Sequence, residues 1–289
     1  SKKQVMKKLT KVIMSGAAVA ALGASMAFGF AACGNGNSEG GITEFAIEGS
    51  TSMEEVMNHL IEAFQDKYYE ENGVEITITP TYSGSGSGIQ AAQDGRVAFG
   101  LASRALSDEE SKVLESETIC LDGIAVVVNP NCTLENVTKQ DLINIYTVEG
   151  TTLGSVVRAL RRESGSGTRS GFQEILGIED EDLIQSEGFN QYDGTGALKE
   201  AIVQDEAATA IGYISMASVD STVKALNYEG VEPTTENVKS GDYALQRPFV
   251  ICYQDYDALD GLVKEFIEFI RSDEGQQICE EEGGISETL

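Results

Sequence analysis

The 289-residue chain contains no tryptophan, one histidine and four prolines, and its 20 Lys and Arg face 47 Asp and Glu, a formal charge of −27. Each shortage excludes something. The lone His59 leaves His-based triads and multi-His metal sites without their residues. The shortage of basic residues argues against nucleic acid or an anionic membrane surface as a partner, because both need a basic footprint. Gly-x-x-x-x-Gly-Lys does not occur, so a Walker-type nucleotide loop has no support. Gly-x-Ser-x-Gly occurs only at Gly36 to Gly40, with no strand before it and no helix after, so it is not a nucleophile elbow. What remains is the composition of an ordinary globular protein, 41% hydrophobic with 31 glycines, which excludes disorder and collagen-like repeats. The length suits one large domain or two medium ones.

The first 33 residues read as an address. Lys7, Lys8 and Lys11 form a basic head, an uncharged Ala- and Gly-rich stretch runs from Val12 to Ala32, and Phe30-Ala-Ala-Cys33 closes it. A basic region, an apolar region and a small-residue cleavage site in that order make a secretory signal. A Cys directly after the small residues resembles the lipobox of bacterial lipoproteins, with Phe30 where Leu is usual. The expectation is a signal peptide over 1–33, lipidation of Cys33 and a membrane anchor there. The Gly- and Asn-rich segment 34–41 reads as a flexible tether. Cys120, Cys132, Cys252 and Cys279 remain, an even number that permits disulfides on an exported chain, while its size makes free thiols equally acceptable. No Cys-x-x-Cys occurs, so zinc is not expected.

Strand and helix patterns alternate along the rest. Thr43 to Ile47 reads as a strand, followed by a helix over Met53 to Tyr69 whose apolar residues recur at helical spacing. Ser52 with Glu55 three residues on predicts a capping box. Val74 to Thr81 and Val97 to Leu101 read as strands, with a Gly/Ser loop at Ser83 to Gly88 and a short helix at Ile89 to Gln93 between them. Ile124 to Asn129 is a near-continuous apolar run, the pattern of a strand buried on both faces. A strand at Val156 to Leu160, a second Gly/Ser loop at Ser164 to Thr168 and a helix at Arg169 to Ile175 follow. This alternation predicts an α/β fold with mainly parallel sheet.

Three polar loops each end at a helix start: Gly49 to Ser52, Ser83 to Gly88 and Ser164 to Thr168. The first turn of a helix offers unpaired N–H groups and a partial positive charge. Glycine allows close backbone approach, and hydroxyls add donors. Three such loops, with Arg161, Arg162 and Arg169 around the third, point to a tetrahedral oxyanion. The acidity of the chain does not oppose this, since exposed charges are screened over about 8 Å at physiological salt.

Gly49-Ser50-Thr51-Ser52, Phe99-Gly-Leu-Ala-Ser-Arg104, Arg162-Glu-Ser-Gly-Ser-Gly-Thr-Arg169 and Ala210-Ile-Gly-Tyr213 resemble the phosphate-binding proteins of bacterial phosphate ABC importers. The resemblance runs from about Ile42 to the end. It implies a two-lobed, type II periplasmic-binding-protein-like α/β fold with a hinge and a central cleft. It implies lobe I over 42–122 plus 246–289, lobe II over 123–245, and hinges near Leu121 to Ile124 and Tyr243 to Pro248. It implies inorganic phosphate as ligand, the permease and ATPase of an ABC importer as partners, and an extracytoplasmic location. By position it implies phosphate contacts from Thr51, Ser52, Ser87, Arg162, Ser166, Gly167 and Thr168. Some family members carry an Asp where Ser103 or Arg104 stands here. An Asp accepts the proton that phosphate carries and sulfate lacks, so its replacement predicts a weaker filter against sulfate. Arg104 reads equally as a cleft residue or as a partner for surface acids. Glu163 reads as a solvated residue or a substitute acceptor.

The resemblance implies no cofactor, metal or catalytic residue. The competing readings are a trap for sulfate, another oxyanion or a phosphate ester, a hydrolase using Ser87 or Ser166, and a surface scaffold. The hydrolase lacks a His base and a metal cluster.

Overall fold

The computed structural model describes residues 41–185 and 191–286. The expected signal peptide, Cys33 and the tether up to residue 40 lie outside the described residues. The first part of the chain forms β1 (Glu44–Gly49), α1 (Glu54–Asn72), β2 (Thr77–Tyr82), α2 (Ser85–Gln93), β3 (Phe99–Ala102) and the long β4 (Glu115–Val128). Next come β5 (Asn136–Val137), α3 (Lys139–Thr147), β6 (Arg158–Ala159), β7 (Arg161–Arg162), α4 (Gly167–Leu176), β8 (Gln191–Tyr192) and α5 (Thr195–Gln204). Then follow β9 (Ala210–Ser215), β10 (Lys224–Ala225), β11 (Asn227–Tyr228), α6 (Thr235–Lys239), β12 (Gln246–Tyr253), α7 (Gly261–Arg271) and α8 (Asp273–Glu281).

The main sheet has the order β2-β1-β3-β12-β4-β9-β6. β1 runs parallel to β2 and β3, and β6 runs parallel to β9. The expectation of a mainly parallel sheet needs correction, because β12 is antiparallel to β3 and β4, and β4 is antiparallel to β9. These pairings insert two long strands between the parallel sets. The alternation of strands and helices in sequence does not reveal them.

Two large cores flank those crossing strands. One gathers Ile47, Val56, Leu60, Phe99, Leu101, Cys120, Phe249 and Phe266. The other gathers Ile124, Val126, Tyr146, Phe172, Tyr213 and Leu245. Ala125 and Val127 join a third cluster with Leu198, Ile202 and Ile214. Successive β-strand side chains point to opposite faces, so the apolar run in β4 is buried on both. Along β4 the packing passes from the first core at Cys120 to the second at Ile124, and the chain does the same between Phe249 of β12 and Leu245 just before it. Asp122 pairs with Arg247 in register between those points, and the β4–β12 register slips between Phe249 and Val250.

Two local expectations fail for instructive reasons. The Ser52–Glu55 capping box does not form. A one-turn 3-10 helix covers Thr51–Met53, Ser50 caps it by accepting from the Ser52 N–H, and α1 starts after Met53 with no side-chain cap. The Ser52 hydroxyl is engaged elsewhere. The Gly/Ser run at Ser83 to Gly88 is not a loop throughout, because α2 already begins at Ser85. The four described cysteines are buried free thiols, so no disulfide joins them.

Candidate functional site

Four turns deliver the polar side chains, joined by Ser103 just after β3. β1 ends at Gly49 and passes directly into the capped turn at Ser50. β2 leads into α2 through Gly84, whose φ of 103° favours glycine at the helix start. β7 leads through Ser166, which caps α4 by accepting from the Arg169 N–H. β8 leads into α5 through Gly194, with φ 92°. β1 and β2 are parallel, as are β7 and β8, so each pair turns into its helices at the carboxyl ends of parallel strands, where open α/β sheets place ligands.

These turns meet. Ser52 Oγ lies 2.8 Å from Thr168 Oγ1 and 3.3 Å from Thr195 Oγ1, and Thr51 Oγ1 lies 3.2 Å from Thr195 Oγ1. Ser50 Oγ donates to Ser103 Oγ at 2.9 Å, and Ser103 in turn is 3.2 Å from Ser85 Oγ. The Ser103 N–H also donates to Ser85 Oγ at 3.0 Å. Gly167 is held to glycine by this approach. A methyl group there would collide with the hydroxyls of both Ser85 and Ser103.

Arg162 sits across the cluster, fully buried. Its NH2 donates to Thr51 Oγ1 at 2.9 Å, and its NH1 to Thr195 Oγ1 at 3.0 Å and Thr168 Oγ1 at 3.5 Å. Nε and NH2 make a forked pair with Glu163, at 2.8 and 2.7 Å. All five N–H groups are therefore used. Because the threonine oxygens accept from the guanidinium, their O–H groups are left to donate. Burial works to raise the Glu163 carboxyl, but the hydrogen bonds and charge of Arg162 outweigh it and leave it below its ordinary value. Glu163 thus neutralises the guanidinium formally and is committed to it. Behind Arg162, its backbone N–H donates to the Tyr213 hydroxyl at 3.2 Å, and Tyr213 stacks on Phe172 with centroids 4.1 Å apart.

The sequence-predicted residues divide clearly. Thr51, Ser52, Ser103, Arg162 and Thr168 come together through hydrogen bonds, Ser166 caps the helix beneath them, and Gly167 lies against Ser85 and Ser103. Ser87 is exposed and takes no part in the hydrogen-bonded cluster. With α2 starting at Ser85, a residue two positions later points about 200° away at 3.6 residues per turn. Arg104 forks onto Glu110 at 2.7 and 2.8 Å and does not join the cluster. Arg169 is not at the cluster either. It braces it, donating to the Arg162 carbonyl at 3.0 Å. Sequence reasoning missed Ser50, Ser85 and Thr195. Thr195 had a signal, since Gly194-Thr195 repeats the glycine-then-hydroxyl helix start of Gly84-Ser85.

A family model described as PBP superfamily domain matches residues 35–274. The chain belongs to the PBP superfamily. Among solved structures with this PBP architecture is one from Clostridium perfringens, described as a phosphate ABC transporter substrate-binding protein with bound phosphate. It is 36% identical, with a TM-score of 0.77 over 84% of this chain and 99% of its own. A phosphate-binding protein of Streptococcus pneumoniae is 39% identical over 177 residues, 58% of this chain. That match spans 53% of the relative, about half its length. A phosphate-binding protein of Bacillus subtilis is 29% identical over 279 residues, covering 89% of both chains. The two-lobed, mixed α/β fold of this PBP superfamily member accords with these neighbours.

Proposed function

We propose that this chain is an extracytoplasmic solute-binding protein that captures inorganic phosphate in a cleft between two lobes and delivers it to the permease and ATPase of an ABC importer. The observation that carries the reading is the meeting of two helix starts and one 3-10 turn at Arg162, with the start of α2 joined to that turn through Ser85, Ser103 and Ser50. Each helix start presents N–H groups outside the helical ladder and a partial positive charge, and such a cradle suits a small oxyanion. The ligand set is Thr51, Ser52, Ser103, Arg162, Ser166, Gly167 and Thr168, extended by Ser50, Ser85 and Thr195. The lobes are 42–122 plus 246–289 and 123–245, consistent with the two cores and the two strands that run between them. A ligand held by both lobes favours the closed form through its contacts to each.

The cluster contains hydroxyls and a guanidinium, and the carboxylate that touches it is engaged by Arg162. No base is left to activate a hydroxyl, so the reading is binding and not catalysis. Sulfate is the second reading. Ser103 offers a neutral hydroxyl, which accepts the phosphate proton but does not repel a fully ionised anion. Calorimetric titration of the chain with phosphate and sulfate tests both. Saturable one-to-one binding of phosphate is expected, with sulfate competing measurably. Absence of phosphate binding overturns the reading.

Cys33 is proposed as the lipidated residue. Among the described residues no helix is long and apolar enough to cross a membrane. Cys33→Ala is expected to release the chain from the membrane fraction, and retention there would refute the anchor.

A further inference from the structure

A second guanidinium lies behind the cluster. Arg247 of β12 is buried, as is Asp122 opposite it on β4. Arg247 donates to Asp122 Oδ2 from Nε at 3.1 Å and from NH2 at 2.9 Å. Asp122 Oδ1 accepts from Ser215 Oγ of β9 at 2.6 Å. The remaining nitrogen, NH1, donates to the backbone carbonyl of Ser103 at 3.4 Å. On another side, the Arg247 stem lies against α4 at Gly171, where a methyl group would stand in ordinary contact 3.5 Å from Cδ. Arg247 therefore touches the Ser103 turn, the point where β4 changes cores, and the helix whose first turn carries Thr168.

A paired, buried arginine in the middle of a sheet carries a desolvation cost that an apolar pair would avoid. Burial pushes the Asp122 carboxyl up and the Arg247 guanidinium down from their ordinary values, against the attraction between them. The contacts show what the pair does locally. Ser103 follows the end of β3, and its hydroxyl accepts from Ser50 and meets Ser85. The carbonyl of the same residue is the group Arg247 holds.

We propose that Arg247, fixed by Asp122 and Ser215, is a positioning residue for the anion site that acts through Ser103. The proposal rests on the phosphate-binding reading, and Arg247 itself does not touch the ligand. If the arginine works by holding the Ser103 hydroxyl in place, its loss matters only while that hydroxyl is present. A double-mutant cycle isolates such a dependence.

The experiment is phosphate titration of the full chain as wild type, Arg247→Gln, Ser103→Ala and the double variant, with melting temperatures recorded in parallel. Arg247→Gln is expected to weaken phosphate binding about as much as Ser103→Ala, and the double variant to bind within twofold of Ser103→Ala alone. Arg247→Lys is expected to restore part of the loss. Multiplying losses in the double variant overturn the proposal. So does an unchanged dissociation constant in Arg247→Gln with a lowered melting temperature, the signature of a purely structural pair. Should Arg247→Gln fail to fold, Arg247→Lys with Ser103→Ala runs the same cycle. Failure of the wild type to bind phosphate refutes the function instead, so the two failures are separable.

Discussion

The two sides of the proposed anion site are built differently. The side around the first core contributes Ser50, Thr51, Ser52, Ser85 and Ser103, all neutral, on turns that follow β1, β2 and β3. The side around the second and third cores contributes Thr168 and Thr195, and also the charged pair Arg162–Glu163. Arg162 reaches over to Thr51 on the neutral side, so the charge of one side orients one hydroxyl of the other. The difference teaches that a charged, internally paired group and a set of neutral hydroxyls can be kept on opposite sides of one cluster. Charge sits where one buried guanidinium can be satisfied completely, and the opposing surface offers only dipoles and hydroxyls.

The largest expected effect comes from the charged side. Arg162→Ala removes the guanidinium and strands Glu163. A hydrogen bond to a charged group contributes about 1.5–3 kcal/mol, so phosphate affinity should fall by about tenfold to a hundredfold or more. Calorimetric titration reads it, and a loss under threefold would place the anion elsewhere.

Next is the contact between the sides. Gly167→Val puts a side chain where Ser85 and Ser103 approach, and should lower affinity by at least tenfold while both cores keep their packing. Small-angle scattering is expected to show a weaker contraction on adding phosphate than in the wild type. An unchanged contraction would mean that the two sides need not meet there.

The neutral side should respond more gently. Ser85→Ala removes one neutral donor, a change of about 0.5–1.5 kcal/mol and so roughly twofold to tenfold in affinity. Ser87→Ala should leave affinity unchanged. The reverse order of these two variants would mean that α2 starts later than Ser85.

The smallest effect on binding is expected at Arg104, whose consequence lies in acid stability instead. Hydrogen bonding and charge from Arg104 hold the Glu110 carboxyl at about 2, below its ordinary 4.5, against the effect of burial. A depressed folded value contributes stability that is complete above the unfolded value and fades as pH falls from about 4.5 through about 2. Arg104→Ala should therefore flatten the fall in melting temperature across that window and shift phosphate affinity less than twofold. A steep acid limb retained in the variant would assign the effect to other carboxylates.

Much of this protein was legible residue by residue. The apolar patterns predicted α1, α4 and the strands β1, β2 and β3, because burial of one face is written locally at period 3.6 or 2. Glycine beside a hydroxyl before a helical pattern marked the turns, since the backbone needs of a tight helix start are also local. Arg162 and Thr168 were singled out by the resemblance to phosphate-binding proteins. The antiparallel passage of β4 and β12 was not legible, because pairing partners more than a hundred residues apart leave no local trace. Nor was the choice of Ser85 over Ser87, which depends on where the first turn of α2 closes. Ser52 looked like a cap for α1 and became part of the cluster because Thr168 and Thr195 arrived beside it. Glu163 was assigned to solvent or to the ligand, and its forked pairing with Arg162 appeared only when the backbone bent both side chains to the same side. Sequence alone determined which kinds of groups this chain can offer an anion. Tertiary structure decided which of them face one another, since that depends on distances between segments that sequence order does not constrain.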